Sequence, residues 1–150
     1  MFKPSQPATE PDLFAQTDHL LSGQAATEYS DPNGWHNQFY KHIKTRIDES
    51  IFSVLFNQRG GAPNAPVSVL VSMMILKEFF GLSDKQLFEH CRFHMLVRKA
   101  LSMTNMHDPV PAESTYYLLR QRMYEYHRSE GRDLLEQDLP IHNHRAHANL

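Results

Sequence analysis

The basic and hydroxyl-bearing side chains in the second half of the chain are of the types that contact nucleic acid. Lysine and arginine neutralise backbone phosphates, and side chains near the start of a helix can reach base edges in the major groove. Residues 90–128 carry six basic and three acidic side chains, whereas residues 1–40 carry one basic and five acidic. The candidate DNA contacts are Lys85, Arg98, Lys99, Ser114, Thr115, Tyr116, Arg120 and Arg122. The alternative is that they are ordinary solvated groups on an amphipathic bundle.

Other chemistry is less well supported by the sequence. His90 and His94 have a spacing that can hold a metal ion, but no third or fourth ligand is evident. Cys91 falls on an apolar face with Leu87 and Phe88, which favours a buried structural thiol. No glycine-rich phosphate loop and no suitably spaced pair of carboxylates stands in the sequence. We therefore expect no catalytic residue, no metal site and no cofactor.

Length, charge and cysteine content exclude several classes of protein. The chain has 150 residues, a net charge of −2 and a single cysteine. This length suits one domain, and a lone cysteine excludes both an internal disulfide and a multi-cysteine zinc module. The apolar run over residues 66–80 is too short and too interrupted to cross a membrane. With no recognisable signal peptide, the expected compartment is the cytoplasm, with no membrane partner.

The elements that must position these side chains are helices, since no alternating strand pattern of useful length is present. Apolar spacing and turn residues predict helices over residues 12–21, 35–58, 66–80, 83–101 and 113–128, with a further short one over 133–138. Gly81 is placed to end the most apolar helix in a left-handed cap. Ser83 and Gln86 form a capping box at the start of the next helix. Phe79 and Phe80 are expected in the core with the methionines of the same helix.

The predicted fold is all-α: a compact bundle of about five helices that contains a helix-turn-helix-like unit, with a flexible N-terminal arm and C-terminal tail. Residues 1–34 are the acidic, proline-containing arm with a short helix. Residues 35–130 are the helical domain. Residues 131–150 hold a short helix and a polar tail, whose histidines could bind metal only adventitiously.

A series of short motifs follows the same order and spacing as a known family. The series includes Gly61-Ala62-Pro63-Asn64, then Gly81-Leu82-Ser83-Asp84-Lys85-Gln86-Leu87, then Val97-Arg98-Lys99-Ala100-Leu101, and Arg120-Gln121-Arg122. Through these motifs the stretch Phe52 to Met123 resembles the N-terminal domain of bacterial insertion-sequence transposases of the DDE type. The chain departs from that pattern at Ala62, where the family usually has arginine, and at Ser102, where it usually has glycine.

The resemblance implies a DNA-binding module that recognises the ends of a transposon. In such transposases a downstream RNase-H-like domain performs the cutting, with three acidic residues that hold two metal ions. After Arg128 the chain has only Glu130, Asp133, Glu136 and Asp138, in a stretch with no strand pattern. We therefore expect the front module alone, from a truncated or fragmentary transposase without enzymatic activity. The alternative is an interaction module that uses the 39–55 face and the 66–80 helix to pair with a second copy or with intact transposase.

Overall fold

The apolar and capping patterns produce a helical structure. The computed structural model describes residues 15–56 and 65–138, and within these ranges it contains no strand, only a single antiparallel bridge between Gln16 and Asn105. The described helices are α1 (Thr17–Leu20), α2 (Gly23–Ser30), α3 (Trp35–His42), 3-10 helices at Lys44–Arg46 and Glu49–Leu55, then α4 (Val67–Phe80), α5 (Asp84–Phe93), α6 (Met95–Ala100), α7 (Glu113–Glu130) and α8 (Leu134–Asp138). The all-α prediction is confirmed.

Helix α4 is the centre of the core because it is apolar on nearly every face. All residues from Val67 to Met74 are buried, together with Leu76. The same core includes Phe52 of the second 3-10 helix, Phe88 of α5 and Leu119 of α7. Burial of side chains of this size is the main stabilising contribution, at roughly 1.5–3 kcal/mol each.

Only the last turn of α4 leaves the core. Phe79 is 74% exposed and Phe80 is also exposed, so the prediction that both phenylalanines are core residues was wrong. They follow Lys77 and Glu78, whose polar heads keep this end of the helix at the surface. Phe80 instead packs edge-on against the ring of Trp35 in α3, with 4.9 Å between ring centroids.

A tight turn links α4 to α5, and both of its predicted caps are confirmed. Gly81 has a φ of 62°, the left-handed conformation that glycine adopts without steric cost. The Leu82 N–H then donates to the carbonyl of Lys77. Ser83 Oγ accepts from the N–H of Gln86, whose side chain accepts from the N–H of Ser83, which completes the capping box.

Two long helices predicted from the sequence are each broken into shorter ones. The helix predicted over 35–58 ends at His42 as α3 and gives way to the two 3-10 helices. Asp48 has an extended backbone, and its carboxylate accepts from the N–H of Ser50, a local bond that starts a new element. The helix predicted over 83–101 breaks at His94, which ends α5 and caps α6 by accepting from the N–H of Val97.

Residues 15–34 pack against the rest of the described chain. Thr17 N–H donates to the carbonyl of Thr104, and Met106 N–H donates to the carbonyl of Ala15. Tyr29 of α2, a helix that the sequence did not predict, is buried against α6. The proline-containing arm over residues 1–11 and the histidine tail over 141–150 lie outside the described residues.

Candidate nucleic-acid interface

The carboxylate of Asp84 joins three helices at one point on the surface. Asp84 is the first residue of α5, and its Oδ1 lies 3.3 Å from Lys77 Nζ at the end of α4. The same oxygen lies 3.1 Å from an Nη atom of Arg120 on α7, which also reaches the second carboxylate oxygen at 3.3 Å. Lys85 follows Asp84 in the first turn of α5 and is exposed. The structure thus brings the predicted contact Arg120 together with Lys77, which was not among the predicted contacts. The predicted contact Lys85 follows next in the chain after the carboxylate that they share.

The start of α7 borders this point. Tyr117 is exposed, and its ring centroid lies 6.0 Å from the Arg120 guanidinium carbon. Ser114 is exposed and Thr115 is half-buried, so both hydroxyl-bearing residues lie at or near the surface. We call the group Lys77, Asp84, Lys85, Ser114, Tyr117 and Arg120 the junction surface.

Tyr116, predicted as a DNA contact, is a core residue. Its side chain is buried, and its ring packs edge-on against Phe88 with 5.4 Å between centroids. Burial raises the pKa of the Tyr116 hydroxyl to about 12. The helical spacing of α7 turns this residue inward, one position before the exposed Tyr117. We therefore reassign Tyr116 to the fold.

Arg98 is also occupied within the fold. Its side chain is buried, with 7% exposure, and one Nη atom donates to the carbonyl of Cys91 at 3.0 Å. The other Nη atom donates to the carbonyls of Asn105 and Asp108, at 3.1 and 3.3 Å. The guanidinium thereby joins the end of α5 to the loop between α6 and α7. We reassign Arg98 from DNA contact to structural residue.

Lys99 and Arg122 anchor other parts of the chain. The Lys99 ammonium donates to the backbone carbonyl of Tyr29 and lies 4.0 Å from the centroid of the Tyr29 ring. Burial lowers the pKa of Lys99. Arg122 donates to the carbonyl of Leu55, and its guanidinium lies 5.1 Å from the Phe56 ring centroid. Neither contact joins these two residues to the junction surface.

A cavity of about 540 Å³ opens beside the junction surface. Its apolar lining includes Met74 and Ile75 of α4 and Leu135 of α8, and Lys77 and Arg120 contribute the cationic part. Exposed Phe79 also lines it. The junction surface therefore combines cationic groups with an adjacent apolar depression.

His90, His94 and Cys91 have structural surroundings in the described part of the chain and are not grouped as metal ligands. The rings of His90 and His94 are 5.3 Å apart, and burial and the charge of His90 lower the pKa of His94. Within residues 15–56 and 65–138, no group of three or more His, Cys, Asp or Glu side chains is placed to hold a metal ion. Cys91 is buried, as predicted, and burial raises the pKa of its thiol to about 12.

In the described part of the chain, no helix has the length and apolar character needed to cross a membrane. Residues 28–122 match the family model described as transposase domain (DUF772). The matched range covers well over half of the chain and includes Lys77, Asp84, Lys85, Ser114, Tyr117 and Arg120. The match confirms the resemblance that the motifs between Phe52 and Met123 indicated. Neither the curated proteins nor the solved structures contain a match to the chain.

Proposed function

Because the chain belongs to the transposase domain family (DUF772), we propose that it is the N-terminal DNA-binding module of an insertion-sequence transposase. In this proposal the module binds the ends of its element. The observation that carries the proposal is the meeting of Lys77 and Arg120 at Asp84, next to the exposed Lys85 in the first turn of α5, all inside the family's range. Three cations from three helices fit a ligand that carries a row of phosphates.

The geometry around α5 supports a helix-turn-helix mode of binding. Helix α4, the tight turn at Gly81 and helix α5 follow one another as in such units, with the capping box at the start of α5. The N-terminus of a helix attracts anions because its first N–H groups point outward and its dipole is positive there. Lys85 stands in that first turn. We propose that the start of α5 lies against a DNA phosphate and that Ser114 and Tyr117 of α7 border the same strand.

In this proposal the chain supplies recognition and carries no strand-transfer chemistry of its own. It acts in the bacterial cytoplasm, at the nucleoid when DNA is bound. Incubation of the protein with a labelled element-end duplex and Mg²⁺ or Mn²⁺ tests this point. We expect bound but intact DNA, and nicked or joined products that depend on the protein would contradict the proposal.

Competitive binding tests the recognition itself. A fluorescent duplex that carries the terminal inverted repeat is titrated with protein, then competed with unlabelled repeat or with a shuffled duplex of equal composition. We expect the unlabelled repeat to compete at least about tenfold better than the shuffled duplex, as base-specific contacts require. Equal competition by both duplexes would contradict recognition of the ends and leave only non-specific binding.

Charge-neutralising variants connect the binding to the junction surface. We expect Lys85→Gln and Arg120→Gln each to weaken binding several-fold, since each removes one phosphate contact. The matched control is Lys41→Gln, which removes an exposed cation from α3. If Lys41→Gln weakens binding as much as the other two variants, the junction surface is not the DNA-binding surface.

The second candidate function is pairing with another copy or with intact transposase, and only part of the apolar surface predicted for it is accessible in the described residues. Most of the apolar surface first assigned to it is used inside the chain, since α4 and Phe39 are buried. The exposed rings of Phe79 and Phe80 still form a row of edge-on contacts with the partly buried ring of Trp35. Sedimentation at several concentrations tests this function. A monomer throughout, also in the presence of full-length transposase, would remove it.

A further inference from the structure

The cations of the junction surface share a single internal carboxylate. Asp84 contacts both Lys77 and Arg120, although these residues come from different helices and stand 43 positions apart along the chain. The side chains of Lys77, Asp84 and Arg120 are 20%, 33% and 43% exposed. Ion pairs between partly exposed side chains contribute little net stability, because water and salt still reach both partners. The pairs can therefore open without a large cost.

The Asp84 carboxylate has the chemistry of a phosphate at this position. Both groups present oxygens that accept from ammonium and guanidinium donors, and arginine binds either one through two oxygens. The Arg120 Nη atom approaches both Asp84 oxygens, at 3.1 and 3.3 Å. Asp84 is also the first residue of α5, where the helix itself favours an anion. A DNA phosphate drawn to this point meets an anion already in place.

We propose that Asp84 is an intramolecular competitor of DNA phosphate, and that DNA binding at the junction surface exchanges the carboxylate for a phosphate on Lys77 and Arg120. The inference rests on the proposed DNA-binding function and adds a residue that weakens binding. The exchange breaks two partly exposed ion pairs with Asp84 and forms two contacts with a phosphate. Lys85 is exposed and forms no ion pair within residues 15–56 and 65–138, so it makes the first electrostatic contact. Asp84 thereby disfavours duplexes that cannot place a phosphate at the start of α5.

The variant Asp84→Asn tests the competition. It removes the negative charge and keeps a side chain of the same size at the start of α5. We expect binding of an element-end duplex to tighten about threefold to tenfold, the range that corresponds to releasing two partly exposed ion pairs. The control is Glu125→Gln on α7, which removes the same charge from an exposed side chain that accepts a hydrogen bond from Gln121. We expect less than about a twofold effect from that control.

A double-mutant cycle separates release of Arg120 from a general gain of positive charge. In an Arg120→Gln background, Asp84→Asn should tighten binding less than it does in the original chain. Asp84→Ser serves as a second variant, and far-UV circular dichroism confirms that each variant is folded. A folded Asp84 variant that binds no more tightly than Glu125→Gln would overturn the inference, as would an unchanged gain in the Arg120→Gln background.

The outcomes distinguish this inference from the proposed function. If the original chain binds DNA and the Asp84 variants bind no better than the control, only the competition is wrong. If neither the original chain nor the Asp84 variants bind any duplex, both proposals fail. Binding by the Asp84 variants alone would support the competition in its strongest form.

Discussion

Replacement of Arg98 by methionine separates a structural role from a DNA-binding one. The guanidinium donates three hydrogen bonds to backbone carbonyls, at 3.0, 3.1 and 3.3 Å, from a position that is 7% exposed. Methionine preserves the length and apolar stem of the side chain and removes every donor. The carbonyls of Cys91, Asn105 and Asp108 then each lose this partner, and the loop between α6 and α7 loses its tie to α5.

The three hydrogen bonds and the burial of Arg98 determine how much stability the substitution removes. A hydrogen bond that involves a charged group contributes about 1.5–3 kcal/mol. At the lower end of this range, two short bonds and one longer bond total about 4 kcal/mol. The substitution offsets part of this loss of stability, because it also removes the cost of burying the positive charge of Arg98. We expect Arg98→Met to lower the free energy of unfolding by about 2–4 kcal/mol.

Urea denaturation followed by far-UV circular dichroism measures this loss. The matched control is Arg128→Met, which removes an exposed arginine from the last turn of α7 and should change stability by less than about 0.5 kcal/mol. Both variants lose one positive charge, so their DNA affinities, measured while both are folded, should agree within about threefold. A stability loss below about 1 kcal/mol would refute the structural role, and so would a tenfold larger loss of DNA affinity in Arg98→Met than in the control.

Two further predictions concern the turn and the core. Gly81→Ala should lower the free energy of unfolding, measured by urea denaturation, by about 1–2 kcal/mol. The whole loss comes from the left-handed φ of 62°, because nothing lies within 4 Å of an added Cβ. A loss above about 4 kcal/mol would contradict this reasoning. The Cys91 thiol should be inert to a thiol-specific chromogenic reagent in the folded protein at pH 8 and react once urea unfolds it, since burial raises its pKa from 9.0 to about 12. Fast labelling of the native thiol at pH 8 would contradict this prediction. The raised pKa also means that the buried, protonated thiol contributes its full stabilisation below about pH 9, and that this stabilisation is lost as the pH rises towards about 12.

Local signals made much of the helical framework predictable. The unbroken apolar character of α4, the turn at Gly81 and the capping box at Ser83 are each encoded within a few residues, and the structure reproduces them. The breaks at Asp48 and His94 are harder to predict. In both cases one side chain accepts a bond from a backbone N–H two or three residues later, and a helical apolar pattern continues across the break.

The candidate interface was only partly predictable because its contacts are distant in sequence. Lys85 and Arg120 could be chosen by residue type, but the contact between Asp84 and Arg120 spans 36 residues and has no local signature. Arg98 illustrates the opposite error. A basic residue in a basic stretch suggests a surface position, yet the carbonyls of the 102–111 loop draw its guanidinium into the interior.

The salt dependence of binding to the element-end duplex tests the central claim most directly. If Lys77, Lys85 and Arg120 contact phosphates, the logarithm of the association constant should fall linearly with the logarithm of salt concentration, with a slope of about −3. The slope should become shallower by about 0.9 in Lys85→Gln and again in Arg120→Gln, and should not change in Lys41→Gln. A folded protein that shows no salt-dependent binding at micromolar concentration, or slopes that are equal in all variants, would contradict the account.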